Sequence, residues 1–316
     1  HISEILPLAE LVDKMDVQRR DLALLMLLTP CVKEKDILRR QGILAALMSG
    51  STKGEHSLLA QQGQLQKHLA LVREGAFRLS RIHENYNEIL GSPDRFPSME
   101  DPATVSRDEL ELFLAGLKKT VAMPDSPEEE SVFEFSNILR ATTDFIESII
   151  PKIENAELAE MRDQLDQAKR LALKVPEIEN ELKENINYFT DEFKEVLMSD
   201  KWRLIELTQL QRGRFESCCK MITQNRKRLA TIESILSLLD IYMGIAKFIV
   251  ENNLRKAAFA KDEFTIGKCR PFNLELKGFA PDKLVDNDVS LKRSGNTVQI
   301  VVGPNEDGKT NHEKAV

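Results

Sequence analysis

The chain has 316 residues, of which 42% are hydrophobic, 30% charged and 6% aromatic, with a formal net charge of −7. Its length suggests about two domains, and its hydrophobic share is sufficient for a real core. The dominance of Leu, Ile, Glu, Lys and Ala favours long helices over sheets, and the acidic balance excludes an all-over nucleic-acid-binding surface while leaving room for a local basic face. Four cysteines (Cys31, Cys218, Cys219, Cys269) form no C-x-x-C pair, and two of them are adjacent, so neither a zinc site nor a disulfide framework fits. They read as free or buried thiols of a reducing compartment. The histidines His1, His56, His68, His83 and His312 lack ligand spacing, so no metal is assigned to them. No 18-residue apolar run and no signal-peptide pattern is found, so the chain reads as soluble and cytoplasmic, with no membrane partner. It begins with His and stops shortly after position 310, which reads as a piece of a longer protein.

Residues 3–48 read as three short helices. The run from Asp21 to Leu28 is apolar on nearly all sides and is expected to be buried; Thr29-Pro30 ends it. From 54 to 90 the pattern is one long helix. Leu58, Leu65, Val72 and Leu79 fall seven apart, as do Leu69, Ala76, His83 and Leu90, the mark of a helix packed lengthwise on others. In such a row His83 reads as a core or rim histidine rather than a catalytic one.

A loop with three prolines follows at 91–102. Ser106 with Glu109 forms a capping box that starts a helix carrying Leu110, Phe113, Leu114 and Leu117. Glu128, Glu129 and Glu130 open the next helix, where they complement its N-terminal dipole, and Phe133, Phe135, Ile138, Leu139 and Phe145 supply its buried side. Beyond Pro151 a second long helical stretch places Met161, Ala168, Val175, Leu182, Phe189 and Val196 seven apart, with a kink expected at Pro176. After a turn at 198–200 the chain heads back from Trp202 to Val250. An out-and-back pair of this length is a strut or arm, not a catalytic bowl.

Between 201 and 228 the returning helix carries eight Lys/Arg against Glu206 and Glu216 alone. Such a face can hold a phosphate backbone, and Lys201, Arg203, Arg212 and Arg214 are the candidate contacts to double-stranded DNA. The plainer alternative pairs these charges with Glu177, Glu179 and Glu181 on the outgoing helix. After Asn252-Asn253 short β-type runs begin, at 263–266, 273–276, 285–291 and 298–302. The last of them feeds Gly303-Pro304-Asn305-Glu306-Asp307-Gly308-Lys309-Thr310, a G-x-x-x-x-G-K-T sequence of the P-loop pattern. Gly303, Pro304, Asn305 and Gly308 would let backbone N–H groups cradle the phosphates of ATP. Lys309 would reach its β- and γ-phosphates, and the Thr310 hydroxyl would ligate Mg²⁺.

The order of these features resembles the MutS family of DNA mismatch-repair ATPases. The likeness rests on Asp240-Ile241 near the end of the long helix, Asn252-Asn253, Cys269-Arg270-Pro271, Val285-Asp286-Asn287-Asp288-Val289-Ser290-Leu291, and the P-loop itself. Near the start, Leu28-Thr29-Pro30 followed by Asp36-Ile37 and Arg40-Gln41 is similar to the opening of the family's core domain. The resemblance implies a mainly α protein in three parts: a helical core at 1–150, a long antiparallel helical lever arm at 151–254, and at 255–316 a small β-rich start of a P-loop ATPase domain. It further implies a homodimeric parent whose ATPase is coupled to grip on DNA, while this stretch, lacking the elements that position water, is not expected to hydrolyse ATP. Glu306-Asp307 stands where the family has Met-Gly. Two like charges about 4 Å apart repel by about 1 kcal/mol in water and about 4 at an effective dielectric of 20. A helical protein-interaction scaffold with a degenerate P-loop is the competing reading.

Overall fold

The structure, a computed structural model, describes residues 8–29, 31, 33–49, 58–91, 106–110, 112, 135–153, 155–174, 201–252, 254, 258, 260, 263–269 and 287–292. These residues are mostly helical, with one small two-stranded sheet. The chain divides into two compact units, one of residues 1–49 with 241–316 and one of Gly50–Asp240.

In the first unit the expected three short helices are α1 (Leu8–Lys14), α2 (Arg20–Leu28) and α3 (Glu34–Ser49). Val12, Met15, Val17 and Ala23 form a core with Ile241 and Phe248 from the end of a much later helix. The turn between α1 and α2 puts Asp16 at φ 50, a left-handed conformation that Asp tolerates better than most residues. Arg19 then grips Asp21 through two bonds of 2.9 and 2.7 Å, and this fork lowers the Asp21 carboxyl to about 2.

The expected burial of 21–28 is corrected. Ala23 is enclosed, and Leu22, Leu24, Met26 and Leu27 pack partly on the core, but Leu25 is 59% and Leu28 46% exposed. A helix of nine residues lying on a small core covers one stripe, and leucines outside that stripe face away from it.

The sheet pairs β1 (Glu263–Cys269) antiparallel to β2 (Asn287–Lys292). Phe264 opposes Leu291 and Ile266 opposes Val289, while Thr265 meets Ser290 and Glu263 meets Lys292. The two-residue period therefore collects the apolar side chains on one face and the polar ones on the other. The register shifts between Ile266 and Cys269, a bulge beside Gly267. The expected strands at 273–276 and 298–302 lie outside the described residues.

In the second unit a 3₁₀ turn at Leu59–Gln61 leads into α4 (Gln62–Gly91), so the helix starts later than its apolar pattern suggested. Leu58, Leu65, Val72 and Leu79, the first heptad row, are all buried. The capping box is formed reciprocally. Glu109 N–H donates to Ser106 Oγ at 3.2 Å, and Ser106 N–H to Glu109 Oε2 at 2.7 Å.

Two shorter helices follow, α5 (Phe135–Ile149) and α6 (Ala159–Ala172), joined by an ion pair of 2.6 Å between Glu147 and Lys169. Met161, Leu165, Ala168 and Ala172 bury the α6 stripe at the expected spacing. The remainder of the outgoing helix, Pro176 included, lies outside the described residues.

The returning helix α7 (Lys201–Glu251) runs unbroken for 51 residues. Asn252 closes it, its Nδ2 donating to Phe248 O at 2.8 Å, where the change of character was expected. Its stretch Cys219–Glu251 is long and apolar enough to cross a membrane by length and composition, which corrects the expectation of no such run; 61% of the most apolar window is buried in the protein. Leu229, Ile232, Leu236 and Leu239 lie there with 1% exposure or less. That burial is how a core helix matches the composition of a spanning one.

Candidate functional site

The sequence located function in two places, and the structure treats them differently. Gly303, Pro304, Asn305, Glu306, Asp307, Gly308, Lys309 and Thr310 all lie outside the described residues. Lys201, Arg203, Arg212 and Arg214 lie on α7, in continuous helix, with their side chains outside the described set. Further along the same basic run, Lys220 and Lys227 are exposed. Arg226 and Arg228 have turned inward. Arg228 Nη1 donates to Asn225 Oδ1 at 3.0 Å and to Lys174 O at 3.3 Å, tying the return helix to the end of α6.

The polar side chains that the structure does bring together form a seam between α4 and α7. Gln62 and Gln66 both donate to Asp240 Oδ1, at 3.3 and 3.1 Å. Arg73 Nε donates to Glu233 Oε1 at 2.9 Å. Arg226 Nη1 meets His83 Nδ1 at 3.2 Å, and Thr223 Oγ1 meets His83 Nε2 at 3.0 Å. As the numbers rise along α4 they fall along α7, so the two helices pack antiparallel over this length. At 100° per residue each set stays within roughly a 100° stripe of its helix, which is why local spacing alone aligns them.

Burial sharpens the chemistry. Asp240 is 0% and Gln62 4% exposed, so the carboxyl group exchanges water for two amide donors. Burial and the Arg226 cation both hold His83 below its ordinary 6.5, with exposed Glu84 opposing them. His68, stacked on Phe145 with centroids 4.6 Å apart, is also lowered by burial. Burial pushes the Cys219 thiol up, and Glu216 adds to it. Among the described residues no group of His, Cys, Asp and Glu converges as a metal site.

The Arg73–Glu233 pair gives an intermediate case, with side chains 29% and 20% exposed. Exposed pairs contribute under about 1 kcal/mol, whereas removing one partner of a buried pair costs about 3–5. Arg73→Met is therefore expected to lower stability by about 1–2 kcal/mol, measured by urea unfolding. Little change in that loss between low and high salt is expected, since the pair is partly shielded.

Sequence reasoning singled out His83 and Asp240 but not their partners. The available signal was a set of polar residues, Gln62, Gln66 and Arg73, interleaved with heptad leucines. Comparison with known proteins finds no family model, no curated protein and no solved structure that matches the chain.

Proposed function

We propose that the chain is part of a MutS-like DNA-binding ATPase, in which closure of a nucleotide loop is coupled to lever helices that grip duplex DNA. The observation that carries this reading is the order Val285–Leu291, then an apolar run, then Gly303–Thr310, behind a 51-residue helix with Asp240-Ile241 near its end. Bound ATP·Mg²⁺ would supply the charge that organises the loop. Lys309 would neutralise phosphate charge, Thr310 would hold the metal, and the backbone of 304–309 would surround the phosphates, with N–H donors from every position but Pro304. Lys201, Arg203, Arg212 and Arg214 contact the DNA backbone. The parent protein is a cytoplasmic homodimer acting in mismatch repair or related DNA processing.

The second reading, a helical interaction scaffold with an idle loop, is favoured by Glu306-Asp307, two carboxylates within a sequence whose pattern is meant for phosphate. Binding of a fluorescent ATP analogue with and without Mg²⁺ separates the two. The ATPase reading expects Mg²⁺-dependent binding that weakens about tenfold or more in Lys309→Ala, a loss of at least about 1.4 kcal/mol. It also expects duplex affinity to fall steeply with salt, with the slope reduced by about 2 when Arg212 and Arg214 are both replaced by Glu. Neither nucleotide nor DNA binding would leave the scaffold.

A further inference from the structure

At the His83 end of the seam the hydrogen bonds form a relay rather than single contacts. A guanidinium can only donate, so Arg226 fixes His83 Nδ1 as an acceptor. The ring hydrogen must then lie on Nε2, where it donates to Thr223 Oγ1. Thr223 in turn passes its own hydrogen to Cys219 O at 2.8 Å, within α7. Every donor in this chain points one way, from Arg226 through the ring to the backbone of α7. The ring fits only as the neutral Nε2–H tautomer.

We propose that this contact is a proton-operated latch: neutral His83 ties α4 to α7 through Arg226 and Thr223, and protonation of the ring releases the tie and loosens the two helices at this level. A hydrogen added to Nδ1 would point at the Arg226 N–H it now accepts, and two cations would share the contact. The charged groups acting here include Arg226 of α7 and Glu84 of α4 on His83, and Glu216 of α7 on Cys219. The Cys219 thiol stays neutral over the acid range. This latch does not rest on the nucleotide reading.

The sign of the effect follows from linkage. A histidine held neutral by the fold contributes its full stability above the ordinary 6.5. As pH falls below that value the opened form takes up a proton first, and the contribution is lost until the folded ring protonates as well. The latch is therefore closed at neutral pH and weakened in mild acid.

Histidine NMR titration of the whole chain, with His83 assigned by its loss in His83→Gln, gives the first test; the ring is expected to titrate below 6.5. Amide exchange of peptides covering 76–84 and 219–230, corrected for intrinsic rates, gives the second. Opening there is expected to rise several-fold from pH 7.5 to 5.5 in the wild type. It should not rise in His83→Gln, whose amide supplies one acceptor and one donor without titrating. Arg226→Met removes the opposing cation, so His83 should titrate higher and the acid effect shrink. A wild-type ring that titrates at or above its ordinary value overturns the latch. So does equal acid loosening of the two peptides in wild type and His83→Gln, and, should the Gln variant fail to fold, an unmoved His83 titration in Arg226→Met.

Discussion

Asp240→Ala is expected to lower unfolding free energy by about 3 kcal/mol, read as a fall in the urea midpoint at unchanged slope. The side chain is wholly buried and accepts from Gln62 and Gln66. Removing it leaves two amide donors without that acceptor, Gln62 buried and Gln66 partly so. Each unmet buried donor costs about 1–3 kcal/mol, and a hydrogen bond to a carboxylate is itself at the stronger end of the range. Asp240→Asn keeps an oxygen for both amides and should lose only about 1 kcal/mol. The triple replacement Gln62→Leu, Gln66→Leu, Asp240→Leu removes donors and acceptor together, and apolar substitution of buried polar groups is often neutral. It should recover most of the alanine loss. An alanine variant within a few tenths of a kcal/mol of wild type would show that water satisfies the Gln amides and that the site is not sealed.

The seam has a further consequence for packing. Leu65, Val72 and Leu79 on α4, like Leu229 and Leu236 on α7, would pack almost as well if one helix slid by a heptad along the other. Asp240 would not. Displaced from Gln62 and Gln66 it would lie against apolar neighbours, and the Arg73–Glu233 pair would separate with it. Polar groups at core positions thus select one register among several that the leucines alone would accept, at some loss of stability.

This is also where the sequence was least legible. Heptad rows announced α4 and α6, because burial of a lengthwise stripe imposes a seven-residue repeat that needs no knowledge of the partner. The Ser106–Glu109 box was legible for the same reason, being completed within four residues. The strands β1 and β2 were found near their expected positions, their alternation being local too. By contrast, Gln62 and Asp240 are separated by 178 positions, and nothing in either neighbourhood names the other. The α2 leucines show the opposite difficulty. Composition measured how apolar the helix is, but not how much core was available to cover it. The lever pairing read between outgoing and return helices falls mostly on 175–200, outside the described residues, while α7 makes polar contacts with α4 and, through Arg228, with Lys174.

Leu69→Ala, set against Leu112→Ala, should separate a buried from an exposed leucine by a wide margin. Leu69 is 0% exposed on α4, in the second heptad row, between Leu65 and Val72, which are equally enclosed. Truncation forfeits the transfer free energy of the lost methylenes and leaves a void that a helix held by neighbours on both sides cannot close. Losses for such leucines run from about 2 to 5 kcal/mol, and the rigid setting places this one at about 3 or more. Leu112, 74% exposed, has the same side chain with little packed against it, and Leu112→Ala should stay within about 0.5 kcal/mol of wild type. Parallel urea titrations of the two variants measure the difference directly. Comparable losses at both positions would mean that Leu112 is covered in solution, and a small loss at Leu69 would mean that the α4 stripe is not the sealed core its repeat describes.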